Sequence, residues 1–265
     1  MSLVEYHKKT NKIFSEFGCH FHNAYEIYYF ICGDADIMIE GKIYKLLPHS
    51  LVLLAPGILH GIQVNSTKDY IRNVLYISNK DVIPERLYTL TNIVPDIRKD
   101  PSKAFIYEHT EAFRMDQFYY NIFQLETQPK EFRKTFEPIF NEAFLAQLNI
   151  LCCALKPADA EFRTDNKVTE IVQYINQHLA EPLSLDQISS HFFISKNYLN
   201  KLFKQYLGTT INEYIRYKRV AIARQYMIQN GDSAMTAALR VGFSDYSSFF
   251  RTYKKYIKSS PRDDL

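Results

Sequence analysis

The chain has 265 residues, with 32 Lys and Arg against 29 Asp and Glu, and 46% of its residues are hydrophobic. That length suits two domains rather than one small module, and the apolar share is enough for packed cores. No run of 18 apolar residues occurs, which excludes a membrane-spanning helix, and the amino terminus MSLVEYHKKTNK lacks the apolar centre of a signal peptide. The net charge of +3 is unevenly spread. Residues 166–265 carry 14 Lys and Arg against 8 Asp and Glu, net +6, and the remainder carries 18 against 21, net −3. A basic carboxy-terminal third points to a polyanionic partner. Cys19, Cys32, Cys152 and Cys153 have no CxxC spacing, so reduced thiols in a cytoplasmic protein are expected.

In chain order, residues 1–80 read as strands. EIYYFICG, ADIMIEG, KIYKLL, SLVLLAP and RNVLYIS are short runs rich in Ile, Val, Tyr and Phe, punctuated by Gly33, Gly41, Pro48 and Pro56-Gly57. Their spacing predicts an antiparallel barrel or sandwich, with a hairpin return at Gly41-Lys42. HFHNAYE (His20–Glu26) and PGILH (Pro56–His60) lie within this region. HxH puts two imidazoles on one face of a strand, and imidazole with carboxylate suits iron, manganese or zinc. Here the sequence resembles the cupin barrel. The resemblance implies that His20, His22, Glu26 and His60 stand at the positions that bind metal in metallo-cupins. His49 and Ser50 replace the glycine and acidic residue that usually open the second motif, and Phe14 stands where a glycine usually precedes the first. Three roles stay open for the four residues: a divalent metal site, contact with an organic effector, or structural hydrogen bonds. Cys19 is either a further soft ligand or a small buried apolar residue. Tyr25, Tyr28, Tyr29 and Tyr44 are either core residues or rings that stack on a bound sugar.

VIPERLYTLTNI holds a predicted helix and SKAFIYEHT a returning strand. Two amphipathic helices follow. Phe113, Phe118, Ile122 and Leu125 form the stripe of the first; Phe140, Phe144, Leu148, Leu151 and Leu155 form that of the second. The second stripe either packs within the chain or forms a dimer seam. Lys156–Asn166 is polar, contains Pro157 and reads as a linker. A helix with Val168, Ile171, Val172 and Ile175 on its apolar face comes next, with Pro182 beyond its end.

From Leu183 one pattern occurs twice. Leu185, Ile188, Ser189, Phe192, Ile194 and Ser195 recur 49 residues later as Ala234, Ala237, Ala238, Val241, Phe243 and Ser244. Leu199, Lys201, Phe203 and Lys204 recur 50 residues later as Phe249, Arg251, Tyr253 and Lys254. A short helix, a tight turn and a second helix with basic residues among apolar ones describe a helix-turn-helix, whose second helix enters the major groove of DNA. Ser195 caps the first such helix, Gly208 ends it, and Leu199, Leu202, Phe203 and Tyr206 are expected to face inward. Lys196, Asn197, Asn200 and Lys201 are then outward and near base edges, with Lys204 at a phosphate; Asn pairs with adenine and Lys with guanine or phosphate. A long helix, INEYIRYKRVAIARQYMIQ, spaces the two units and ends at Asn230-Gly231. In the second unit Ser244 or Asp245 is the cap. Tyr246, Ser247 and Phe250 are expected near bases, and Arg251, Lys254 and Lys255 at phosphates. Phe250 is equally a candidate for core packing.

Gly242-Phe243, Phe249, Arg251, Tyr253, Lys254-Lys255 and Ser260-Pro261 resemble the signature of the AraC/XylS family of transcriptional regulators. The resemblance covers about 100 carboxy-terminal residues, and the cupin-like segment fits the same family more loosely. It implies an α+β chain of two parts: an N-terminal cupin-like antiparallel β-barrel with helices, and a C-terminal all-α domain of two helix-turn-helix units joined by a long helix. The expected boundaries are 1–155 for the sensor and dimerisation domain (barrel about 1–110, helices about 111–155), 156–165 for the linker and 166–265 for the DNA-binding domain. The implied function is promoter binding, with activation in response to a sugar or other metabolite near His20, His22, Glu26, His60 and Tyr28. The implied partners are double-stranded DNA, a second copy of the chain and RNA polymerase. No catalytic residue and no obligatory cofactor are expected. The alternatives are a DNA-binding regulator without a ligand, and a metal-dependent cupin enzyme fused to a DNA-binding domain. Three departures single out the second unit: Lys258 replaces a glycine, Ala234 and Ala237 replace larger apolar residues, and the chain ends in Arg-Asp-Asp-Leu. They predict a thinner core there and more base discrimination by the first unit.

Overall fold

The computed structural model describes residues 3–13, 17–22, 24–78, 90, 92–95, 105–158, 162–163, 166–257 and 259–264. The chain divides into two compact units. The first comprises Met1–Ser15, His20–Ile37 and Ile43–Phe162; the second comprises Glu16–Cys19, Met38–Lys42 and Arg163–Leu265. Among the described residues no helix is long and apolar enough to cross a membrane.

Among the described residues nine strands form two sheets: β1 (Leu3–Thr10), β2 (Ala24–Cys32), β3 (Ala35–Ile39), β4 (Lys42–Lys45), β5 (Ser50–Leu54), β6 (His60–Val64), β7 (Tyr70–Ser78), β8 (Ile106–Tyr107) and β9 (Phe162–Arg163). The sheet orders are β1-β7-β2-β5-β8 and β6-β3-β4-β9. Strand β2 is central and antiparallel to β5 and β7, with Glu26 opposite Leu54 on one side and Tyr76 on the other. It reads as a continuous apolar run because both its faces are covered, whereas a half-solvated strand would alternate. Glu26, Tyr28 and Phe30 share one face. On the other, Tyr29 stacks on Tyr119, whose hydroxyl donates to the Ile27 carbonyl at 2.8 Å. The five strands expected from sequence are present. Strands β1 and β6 were not anticipated, because EYHKKT and HGIQV carry too many polar residues to stand out. The predicted helix in VIPERLYTLTNI lies largely outside the described residues.

Helix α1 (Met115–Glu126) buries Met115, Tyr119, Ile122 and Leu125. This corrects the expected stripe: Phe113 sits in a 3-10 turn before the helix and Phe118 is half-buried. Helix α2 (Lys130–Ala154) buries Phe144, Leu145, Leu148 and Leu151, and Phe144 meets Tyr119 edge-on at 5.2 Å. Of the stripe expected from sequence, Phe144, Leu148 and Leu151 pack within this unit, whereas Phe140 is half-buried and Leu155 stands half-buried just past the helix end. The opposite face of α2 is apolar as well, with Phe132, Phe136, Ile139 and Ile150 exposed.

The second unit contains helices α3 (Asn166–Gln177), α4 (Leu185–Phe192), α5 (Lys196–Leu207), α6 (Ile211–Asn230), α7 (Ala234–Arg240) and α8 (Tyr246–Ile257). Sequence marks several of their starts. Ser184 and Gln187 form a capping box on α4; the Ser195 and Thr210 hydroxyls accept from the Tyr198 and Glu213 amides. Gly208 and Gly231, both left-handed, close α5 and α6. The last core gathers Val220, Ala223, Met227, Ala234, Ala237, Ala238, Val241, Phe243, Phe249 and Tyr253. Small alanines on α7 let α6 and α8 carry the bulk of this packing.

Candidate nucleic-acid interface and a histidine cluster

Helices α5 and α8 each follow a short helix and a tight turn. On α5 Leu199, Leu202, Phe203 and Leu207 are buried. Leu207 takes the inward place expected of Tyr206, which is only half-buried. Lys196, Asn197, Lys201 and Lys204 are exposed. Lys196 pairs across the turn with Asp186. Asn200 is half-buried, and its Oδ1 accepts from the Ile211 amide at 3.4 Å. It thus ties α5 to the first residue of α6, a contact that spacing on one helix could not reveal. Tyr198, 48% exposed, shares the outward surface and was not anticipated; its place outside the Leu199-Leu202-Phe203 stripe was the available signal.

On α8 Phe249 and Tyr253 are buried, while Ser247, Arg251, Lys254 and Lys255 are exposed. Tyr246 is half-buried and packs against the last core. Phe250 is also half-buried, its ring 6.2 Å from that of Tyr246. Of the two candidate caps, Asp245 is the one used: its Oδ1 accepts from the Ser248 amide at 2.7 Å. The Ser248 amide and hydroxyl hold this carboxyl below the usual range, with Ser244 and Arg251 adding to the effect. Lys255 Nζ lies 3.6 Å from Glu213 Oε1 on α6. Both second helices therefore present an open polar and basic surface on a buried apolar base, as a groove-reading helix requires.

In the β-unit, His20, His22, Glu26 and His60 converge. Their ligand atoms all lie within 4.8 Å of one another. Two backbone hydrogen bonds, of 2.9 and 3.0 Å, pair His20 with His60. Strand β2 supplies Glu26, whose Oε2 lies 2.9 Å from His60 Nε2 and 3.2 Å from His22 Nε2. His60 Nδ1 lies 2.9 Å from the Ile58 carbonyl oxygen. Tyr76, opposite Glu26 on β7, meets the His22 ring edge-on at 4.7 Å. Glu26 and His60 are buried, His22 is half-buried and His20 is exposed. Burial lowers the His22 imidazole to about 4 against the attraction of Glu26, with His60 and His20 helping to lower it. Burial pushes the Glu26 carboxyl upward, but His60, His22 and His20 outweigh it and hold the group below its ordinary value. Cys19 is not among the converging donors; burial raises its thiol to about 12.

Tyr28 is buried on the Glu26 face of β2. Its hydroxyl is 2.6 Å from that of Tyr70, and the Arg72 guanidinium lies 6.0 Å from its ring centre. Tyr25, Tyr29 and Tyr44 are buried as well. Sequence alone could not bring Tyr70, Arg72 and Tyr76 here, because strand β7 reaches β2 only through long-range pairing.

A family model described as an AraC-like ligand binding domain matches residues 10–85, and one described as a helix-turn-helix domain matches residues 188–264. Regulatory protein PocR of Salmonella typhimurium is 31% identical over 98 residues, 37% of this chain and 32% of that protein. The HTH-type transcriptional regulator ArgR of Pseudomonas aeruginosa is 33% identical over 98 residues, 37% of this chain and 30% of that protein. The chain thus spans about a third of the length of these relatives. A structure of ToxT from Vibrio cholerae is 14% identical, covering 99% of this chain and 97% of that one, with a TM-score of 0.39. With both matched domains in order along one polypeptide, the chain belongs to the AraC/XylS family of transcriptional regulators.

Proposed function

We propose that the chain is a cytoplasmic, sequence-specific transcriptional regulator that binds promoter DNA through α5 and α8. The observation that carries this reading is the pair of capped second helices, each with an exposed basic surface over a buried apolar stripe. Asn197 and Lys201, with Ser247, face the bases. Lys204, Arg251, Lys254 and Lys255 face phosphates. The β-unit, residues 1–155, receives a small metabolite and conveys its presence to the DNA-binding part, residues 166–265. Activation through RNA polymerase follows the habit of the family, and no catalytic activity is assigned. The test is selection of bound sites from a random duplex pool, followed by affinity measurement against salt. Four neutralised phosphates give a slope of log K on log salt of about −3 to −4. A flat response, or no enriched sequence, overturns the reading.

The second copy of the chain docks on the exposed face of α2. Phe132, Phe136, Ile139, Ala143, Ala146 and Ile150 are all exposed and succeed one another at alternating steps of four and three residues. That is the heptad spacing of a two-stranded seam, and Cys153 continues it by one step. The strip is about 30 Å long and about 10 Å wide, so two such strips cover only about 600 Å², the area of a weak, concentration-dependent association. Ile139→Glu should convert the dimer to a monomer in light scattering without lowering helix content, because Ile139 is 59% exposed. A wild-type protein that stays monomeric at high concentration removes this interface.

A further inference from the structure

We propose that Tyr198 reads a thymine, packing its ring on the C5-methyl group in the major groove beside the base pair met by Lys201. This rests on the reading of α5 as a helix that enters that groove, and adds a specificity-determining residue to it. Tyr198 is 48% exposed, although a tyrosine ring gains from being covered. The other tyrosines of α5 and α8 are less open. Tyr206 is half-buried, Tyr253 is buried, and Tyr246 and Tyr256 pack against the last core.

Position on α5 selects the partner. The Tyr198 amide donates to the Ser195 hydroxyl oxygen at 3.2 Å, which fixes the residue in the first turn of the helix. Residues at the N-terminal end of a recognition helix are the ones that meet base edges. At about 3.6 residues per turn, Lys201 stands about 40° around the helix from Asn197, and Tyr198 about 60° beyond Lys201. The three therefore follow one another across the outward arc, and all three are exposed. Among the groups that bases present in the major groove, the thymine methyl is the apolar one, and it is the one an aromatic ring can cover. The second unit lacks this contact. Leu199 corresponds to Phe249, so Tyr198 corresponds to Ser248, which is half-buried and whose amide is held by Asp245. The ring thus gives the first recognition helix a base contact that the second does not have.

The test uses the full-length protein and the duplex selected from the random pool, with each thymine replaced in turn by deoxyuridine, which lacks only the methyl group. At one position the wild type should bind the uracil duplex about fourfold more weakly, the worth of one buried methyl. Tyr198→Ser should weaken binding to the thymine duplex and bind the thymine and uracil duplexes equally. Tyr198→Phe, which keeps the ring and loses the hydroxyl, should behave as the wild type. The proposal is overturned if every uracil penalty persists in Tyr198→Ser, or if the wild type shows none. It is overturned equally if Tyr198→Phe weakens binding as much as Tyr198→Ser, since the hydroxyl then makes the contact, as to a phosphate. Wild-type affinity for the selected duplex is measured first, so any of these results leaves the regulator reading where it stands.

Discussion

The two helix-turn-helix units make the same turn with different residues. Phe193 and Gly242 occupy equivalent places, 49 positions apart, and both have positive φ, +55° and +90°. Phe193 is 94% exposed and gains nothing from its neighbours for the strain of a left-handed aromatic residue. Gly242 is enclosed. A Cβ there would stand 2.8 Å from the Leu179 carbonyl oxygen and 2.9 Å from both the Ala180 carbonyl oxygen and an Arg219 guanidinium nitrogen. That guanidinium also donates to the Leu179 and Glu181 carbonyls, tying α6 to the segment after α3. The first unit therefore tolerates an awkward turn because its core is full, with Ile188, Leu199, Leu202, Phe203 and Leu207 buried. The second unit, lined by Ala234, Ala237 and Ala238, depends on close approach of backbone to backbone. Similar sequence patterns can thus rest on different physical supports.

The largest expected effect follows from that enclosure. Gly242→Ala should destabilise the second unit by about 2–4 kcal/mol, read by chemical denaturation, since both the positive φ and the contacts forbid a side chain. A cost under about 0.5 kcal/mol, the range of an ordinary surface change, would show that the turn has room and would erase the contrast. Next is reading of bases. Asn197→Ala on a selected DNA site should cost about 1–3 kcal/mol of discrimination, whereas Phe250→Ala, at a half-buried position, should cost less. The reverse order would make the second unit the stronger reader. Removal of the caps is comparable in the two units: Ser195→Ala and Asp245→Ala should each cost about 1 kcal/mol of stability. Unequal costs would show that one recognition helix leans more on its start. The smallest effect has the opposite sign. Phe193→Gly should stabilise the first unit by about 0.5–1 kcal/mol, because relief of left-handed strain exceeds the extra freedom of glycine in the unfolded chain. Destabilisation would mean that Phe193 has a packing role in the folded chain.

The helical half was legible because its signals are local. Ser195, Gly208 and Gly231 mark helix ends within a few residues of the apolar stripes they bound, and the structure uses each as a cap. The role of Asn200 was not legible, because its partner Ile211 belongs to the next helix. The reason for Gly242 was hidden for the same cause: Leu179, Ala180 and Arg219 come from other parts of the chain. In the β-unit the HxH spacing drew attention to His20 and His22, but their meeting with His60 depends on a bridge across some forty residues. Helix α2 carries two apolar faces, and the sequence made the buried one conspicuous because it is richer in Leu and Phe.

The pairing proposed for the exposed face of α2 also bears on gene dosage. Its centre is Ala143 and Ala146, which contribute little area, so association through it should be weak and governed by how much protein the cell makes. While monomers predominate, the concentration of pairs grows as the square of the total. A twofold rise in expression would then give about a fourfold rise in the form that occupies a two-copy operator, making the abundance of this regulator a signal in its own right.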